Sequence, residues 1–425
     1  MHKKTVLKNG LRVVTNDMPQ RQTASLGIWI GVGGRYENSN NKGIAHFLEH
    51  LVFKGSKKYS NRQIKESLEG VGGNLNGFTS EEMTCYLVKI PATYLELALK
   101  VLSDMALNPL LKPQDVEKER TVISEEIRMY RDLPAHLVQD ELDKLMWPNH
   151  PLGWNIAGTE ESVDKISRAQ ILDFQNYYYT PANIVVAACG NLKHEKLVSL
   201  SNGIFDGKPK EKDLGFKKVT LAQKEPQISL FPKDTEQTHV SIGFHSLKRG
   251  DSDRHALGLL NVILGANMSS RLFNEVREKR GLVYAISSFV RRFHDAGAFT
   301  VHAGTDHKKF VEVIKVILAE LSKIKKSKPT SSEFKRAKEY YIGQLTMELE
   351  DTLDHMIWLG ESTMALNRTY SFSQILEQIK KINLDDILRV SNVIFKNQNM
   401  NLAVVGPGTE KSKKEIKDLF HLDLD

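Results

Sequence analysis

Cysteine is nearly missing: Cys85 and Cys189 are the only two in 425 residues, each inside an apolar, strand-like run. A disulfide framework is thereby excluded as the source of stability, and a reducing compartment is expected. No stretch is long and apolar enough to span a bilayer. The opening MHKKTVLKNGLRVV passes from two lysines straight into an alternating strand and an Asn-Gly turn, so no signal peptide is expected and the expected location is cytoplasmic. A strong charge of one sign is also lacking. Fifty-nine basic against 52 acidic residues give +7, with lysines scattered or in short runs such as 323–328, the pattern of solvated helix faces and not of a nucleic-acid surface.

What is present is a repeat. ASLGIWI (24–30) is similar to VSIGFHS (240–246), and NIVVAACG (183–190) to NMNLAVVG (399–406), with a separation of 216 residues at both ends. A chain of this length exceeds one ordinary core, and equal separations at both ends indicate duplication. The expected division is a domain over 1–204, a polar linker over 205–218 (FDGKPKEKDLGFKK) and a second, homologous domain over 219–425. Each half opens with a β-hairpin, closes with an apolar strand and holds amphipathic helices such as YLELALKVLSDMAL (94–107) and KFVEVIKVILAELSKI (309–324). Strands and helices do not alternate strictly. The expected fold class is therefore α+β: two homologous domains, each a mostly antiparallel sheet with helices packed on one face.

The densest chemistry lies in GIAHFLEHLVFKG (43–55). On a helix His46, Glu49 and His50 share an arc of roughly 100°, because i, i+3 and i+4 are neighbours. Two imidazoles one turn apart can reach one ion, and H-x-x-E-H reverses the familiar zinc helix. The competing reading is a helix edge that happens to carry three polar residues, and spacing alone leaves both open. A catalytic zinc site needs a third protein ligand and a position for water. The acid-rich helical segment VEKERTVISEEIRMY (116–130) places Glu119 and Glu126 seven apart, within roughly 20° on one face. Glu126 as ligand and Glu119 as a carboxylate orienting an imidazole is a sensible pairing; an exposed acidic helix is the alternative.

HFLEH followed by ERTVISEE resembles the zinc peptidases of the M16 family, the pitrilysin and insulin-degrading enzyme group. Length and repeat are similar to the branch holding the mitochondrial processing peptidase subunits and their bacterial relatives. Further motifs recur in order: GGNLNGFTSEEMTCY (72–86), HPLGWNIAGTEESV (150–163), YYTPANIVVAACGN (178–191) and MSSRLFNEVREKRGLVYAISS (268–288). The resemblance implies one zinc per chain held by His46, His50 and Glu126, with Glu49 as catalytic base and Glu119 as the second acid of the ligand helix. It implies that Arg277 and Tyr284 contact substrate, and that the stretch Asn76, Gly77, Phe78 and Thr79 belongs to an edge strand along which peptides lie. That strand reads as half-buried, with Thr84, Tyr86, Val88 and Ile90 on one face of its continuation.

Carried across by 216 residues, His46, Glu49 and His50 fall on Val262, Gly265 and Ala266, so one metal domain and one partner domain per chain are expected. The family's two-domain chains pair around an enclosed chamber, which implies a homodimer or a heterodimer with a noncatalytic relative. ILGANMSSRLF (263–273) lacks the glycine-rich loop of the noncatalytic mitochondrial subunit, and no presequence is expected before the first strand, so a self-pairing, bacterial-type peptidase is the expectation. Two other roles stand beside a general peptidase: a noncatalytic assembly protein, and a maturation protease devoted to one peptide.

Overall fold

Runs of β-branched and aromatic residues bounded by turn residues set the strands, and 3.6-residue apolar periodicity sets the helices. The structure, a computed structural model, describes residues 2–206 and 214–422. The chain begins with β1 (His2–Val6), β2 (Arg12–Asp17) and β3 (Thr23–Ile30), then α1 (Ile44–Val52) and α2 (Asn61–Glu69). The hairpin β4 (Asn74–Thr79) and β5 (Thr84–Pro91) follows. Five helices come next: α3 (Leu95–Leu107), α4 (Pro113–Asp132), α5 (Pro134–Met146), α6 (Glu160–Lys165) and α7 (Arg168–Tyr178). β6 (Ile184–Gly190) and α8 (His194–Ile204) complete this half.

The second half contains β7 (Gln227–Phe231), β8 (Thr238–His245), α9 (Arg254–Leu264), β9 (Val283–Arg292) and β10 (Gly297–Thr305). Then come α10 (Phe310–Lys326), α11 (Ser331–Glu348), α12 (Thr352–Leu366), α13 (Phe372–Lys381) and α14 (Leu384–Ile394), followed by β11 (Met400–Val405) and α15 (Lys413–Leu419).

Two sheets result, ordered β1-β2-β6-β3-β5-β4 and β7-β11-β8-β10-β9. Without β1 the two orders coincide, and so do the directions. β6 runs parallel to β2 and antiparallel to β3, as β11 does to β7 and β8. The expected α+β class with two mainly antiparallel sheets is the one found. One face of the first sheet packs on α1, α3 and α7 in a core that includes Ile28, Phe47, Leu102 and Ile171. In the second sheet α9, α10 and α14 play that part, around Phe299, Ile317 and Ile394.

The opposite face of each sheet carries one helix more. α12 sets Met356 and Leu359 against Trp29, Val185 and Cys189; α5 sets Leu142 and Met146 against Ala298 and Ala403. The compact units accordingly gather distant segments: 1–128, 154–217 and 346–371 in one, 129–153, 218–345 and 372–425 in the other. These differ from the sequence division 1–204, 205–218 and 219–425 in where α5 and α12 belong. An apolar helix stripe says that a sheet must be covered, not which sheet. Of the expected linker, 207–213 lies outside the described residues. Its far end is anchored: Arg35, buried in a 2.6 Å pair with Glu82, stacks on Phe216 at 4.0 Å and donates to the Lys217 carbonyl at 3.1 Å.

α12 can approach the first sheet only because Gly360 has no side chain. A Cβ there would fall on the Trp29 indole, which is itself fully buried. Gly360→Ala is expected to cost about 1–3 kcal/mol through overpacking, read as a lower midpoint in thermal unfolding of the whole chain. An unchanged midpoint would refute this contact. Among the described residues, no helix is long and apolar enough to cross a membrane.

Candidate metal centre

α1 starts where its sequence leaves no choice. Gly43 adopts φ 89°, a left-handed conformation suited to glycine, and a Cβ there would strike the Ala157 carbonyl. The helix has no side-chain cap of its own. Glu37 supplies one: its two carboxylate oxygens accept from the Gly43 N–H at 2.7 Å and the Ala45 N–H at 2.9 Å. Burial pushes the Glu37 carboxyl up to about 8, against the two N–H bonds that hold it down. Ile44, Phe47, Leu48 and Leu51 enter the core, which leaves His46, Glu49 and His50 along the other side.

α4 is anchored by Val116 and Ile123 and held by Arg120. That guanidinium donates to the carbonyls of Val163, Asp164 and Ile166 at the end of α6 and lies 5.5 Å over the Phe47 ring. Glu126 is thereby brought to α1. His46 Nε2 is 3.8 Å from Glu126 Oε1, and His50 Nε2 is 3.4 Å from Glu126 Oε2. The imidazole rings are 4.7 Å apart. One ligand atom from each of His46, His50 and Glu126 lies within 4.8 Å of the others, the one such cluster among the described residues.

Glu119, only 5% exposed, lies 3.2 Å from His50 Nδ1 and 2.6 Å from Lys54 Nζ. Glu49 points to a different partner and accepts from the Thr79 hydroxyl at 2.6 Å.

The electrostatics separate these groups. Burial, with the neighbouring His50, pushes His46 down to about 4 against the pull of Glu126, so the imidazole is neutral. Burial also acts to lower His50, but its bonds to Glu126 and Glu119 outweigh it and the net shift is upward. The His50 bond holds the Glu126 carboxyl below the usual range, against its partial burial. Burial raises Glu49, against the Thr79 bond and the nearby His50.

Two imidazoles and a carboxylate are the donor set that zinc takes in catalytic sites. The residues fit it: Nε2 of both rings faces Glu126, at 3.8 and 3.4 Å, and the other nitrogen of His50 is turned to Glu119 at 3.2 Å. In the second half the 216-residue offset carries the start of α1 to 260, whereas α9 starts at Arg254. Val262 is thus inside α9, but Gly265 and Ala266 lie past its end. The α9 sequence RHALGLLNVIL offers His255 alone as a zinc-type donor, and His255 faces the Tyr341 hydroxyl at 3.3 Å.

Asn76, Gly77, Phe78 and Thr79 lie on β4, at the end of the sheet, where β5 is the sole paired neighbour. Their side chains have separate tasks: Asn76 accepts from the Gly77 N–H at 2.8 Å, Phe78 meets Trp29 edge-on, and Thr79 holds Glu49. Arg277 and Tyr284 belong to the second unit. The guanidinium is 5.3 Å from the Tyr284 ring, and Tyr284 is 76% exposed. Sequence reasoning missed Glu37, Lys54 and Arg120. Lys54 carried a signal, one turn beyond His50; Glu37 and Arg120 act through tertiary contacts that spacing does not reveal.

Residues 12–160 match the pattern of the family described as "Insulinase (Peptidase family M16)", and residues 165–341 that described as "Peptidase M16 inactive domain". The chain belongs to peptidase family M16. Curated relatives in M16 include an uncharacterized zinc protease of Bacillus subtilis, 33% identical over 407 residues, 96% of this chain and 98% of the relative. Another, from Mycobacterium tuberculosis, is 37% identical over 417 residues, 96% and 94% of the two chains. The solved structure of a protease from Helicobacter pylori is similar in fold, with a TM-score of 0.90, 24% identity, and 96% and 99% of the two chains covered. Within this M16 chain the insulinase match contains His46, Glu49, His50, Glu119 and Glu126, and the inactive-domain match contains Arg277 and Tyr284.

Proposed function

We propose that this M16 chain is a zinc-dependent endopeptidase that hydrolyses peptides or unfolded segments. One observation carries the reading: three ligand atoms of zinc-binding type converge within 4.8 Å, with Glu49 one position from a ligand yet held apart from the ligand set by Thr79. His46, His50 and Glu126 would hold one zinc per chain, with Glu119 fixing the His50 ring. Bound zinc supplies a Lewis acid for the scissile carbonyl and lowers the pKa of its water towards ~7. Glu49 takes the proton from the attacking water and hands it to the leaving amine. Its partial burial raises its basicity for that task.

β4 presents one unpaired edge to which an extended peptide adds through its backbone, with Asn76, Gly77, Phe78 and Thr79 as the binding strand. Such recognition is broad in sequence and favours unfolded segments. Arg277 and Tyr284 donate hydrogen bonds to the substrate or to the developing oxyanion. The working form is a homodimer in the cytoplasm, with the pair able to act on the other subunit. The complete set His46, Glu49, His50 and Glu126 argues against a noncatalytic assembly role, and a protease devoted to one peptide would use the same site.

Purified protein is expected to cleave quenched-fluorescent peptides, to lose that activity on chelation and to regain it with zinc. A zinc-loaded protein that cleaves no peptide would favour the assembly reading. Mixing an Arg277→Ala chain with a Glu49→Gln chain is expected to restore part of the activity that both lack alone; no recovery would rule out action between subunits.

A further inference from the structure

The segment KGSKKYSNR (54–62) leaves the metal helix with four cations in nine residues, and its backbone is tied down. Asp104 accepts from the Ser56 hydroxyl at 2.6 Å and the Lys58 N–H at 2.8 Å. The Lys57 N–H donates to the Asn108 carbonyl at 2.9 Å, and the Leu110 N–H to the Gly55 carbonyl at 3.0 Å. Between this segment and residues 110–115 lies a shallow surface cavity, open to solvent, of about 540 Å³, lined by Lys54, Lys57, Lys58, Arg62 and Lys112, with Asp115 as the one acid; Lys57, Lys58 and Lys112 are exposed. Ligand sites span roughly 300–1,000 Å³.

Two of the five cations are engaged, Lys54 with Glu119 and Arg62 with Glu66, both at 2.6 Å. Lys57, Lys58 and Lys112 make no ion pair among the described residues. Like charges collected around a concavity repel one another, and an anion placed among them relieves that repulsion. Because the loop is already fixed by Asp104, little ordering cost remains for binding.

We propose that this cavity binds a small anion carrying two or more phosphoryl groups, through Lys57, Lys58 and Lys112. Three compact ammonium groups suit the dense charge of phosphoryl oxygens, and Asn61 and Gln63 line the same cavity as hydrogen-bonding groups. The cavity adjoins the proposed chemistry only through Lys54, whose partner Glu119 meets His50; Lys57, Lys58 and Lys112 make no ion pair with Glu49 or Glu126 among the described residues.

Inorganic pyrophosphate and adenosine triphosphate, titrated separately into the zinc-loaded chain by calorimetry at low ionic strength, test the proposal. Binding is expected for both. The double substitution Lys57→Ala and Lys112→Ala should weaken it about tenfold or more, while Lys57→Arg with Lys112→Arg should retain it. Any heat from zinc sequestration by the probe would be the same in all three proteins, so the difference between them reads the cavity alone. Peptide hydrolysis by the alanine variant should equal that of the parent. Equal affinity in parent and alanine variant would overturn the site. Binding of the nucleotide but not of pyrophosphate would overturn recognition through phosphoryl groups, and so would an oligoglutamate peptide that competes as well as pyrophosphate.

Discussion

Glu49→Gln is expected to lower kcat by about 10²–10⁴-fold, the size of a general acid–base contribution, while the protein still binds one zinc per chain. The two effects separate because Glu49 is not one of the three converging donors and is held by the Thr79 hydroxyl. Glutamine keeps the shape and an oxygen that can accept the Thr79 bond, so α1 and the edge strand β4 stay joined. What it lacks is an oxygen able to take a proton from water at neutral pH. Burial already disfavours the charged form of Glu49, so neutralising it removes little that holds the fold. Activity is measured with a quenched-fluorescent peptide and zinc by elemental analysis of the dialysed protein. Hydrolysis at the parent rate would exclude Glu49 as the base. Loss of zinc along with activity would instead make Glu49 part of the metal's support.

The polar stripe of α1 was legible because its signal is local. Three polar residues at i, i+3 and i+4 share one side of a helix whatever surrounds it, and Gly55 stands just beyond its end. Glu126 and Glu119 were legible for a similar reason, being two turns apart on one helix. The partners of this site came from farther away. Glu37 reaches the first turn of α1 from a preceding loop, Thr79 reaches Glu49 from β4, and Arg120 reaches the carbonyl end of α6. Each side chain has several geometries open to it in sequence, and tertiary packing selects one.

Repeat and topology were legible to a similar depth. The closing strands β6 and β11 are buried along their whole length, as strands covered on both faces are, and apart from β1 the sheet orders around them coincide. The register does not: Leu26 faces Ala188, whereas Ile242 faces Leu402, where a uniform 216-residue offset would call for Val404. A slip of two residues keeps each side chain on its own face, so the apolar pattern that reveals the repeat is blind to it. α5 and α12 escaped for another reason. Their apolar stripes would suit either sheet, and the choice rests on details such as Gly360 beneath the Trp29 indole.

Removing the two acids of α4 one at a time should separate holding the metal from preparing its ligand. Glu126→Ala takes away a donor placed 3.8 Å from His46 Nε2 and 3.4 Å from His50 Nε2, so zinc affinity should fall by more than the roughly 10–100-fold typical of an outer partner. Glu119→Ala leaves all three donors and should lose about 10–100-fold near neutral pH, with a different dependence on pH. In the metal-free chain Glu126 and Glu119 together raise His50 above its ordinary 6.5, against burial. Zinc needs that imidazole without its proton, so falling pH weakens binding from a point above the ordinary value. Without Glu119 one of the raising bonds is gone, the proton is held less tightly, and the midpoint of the decline moves to lower pH. The deficit of Glu119→Ala should therefore be largest at neutral to alkaline pH and shrink as pH falls. Competition against a chromophoric chelator between about pH 5 and 8, where an imidazole changes charge, reads both curves. Parallel curves for parent and Glu119→Ala would show that Glu119 does not hold the His50 proton, and its 3.2 Å approach would then serve only to orient the ring.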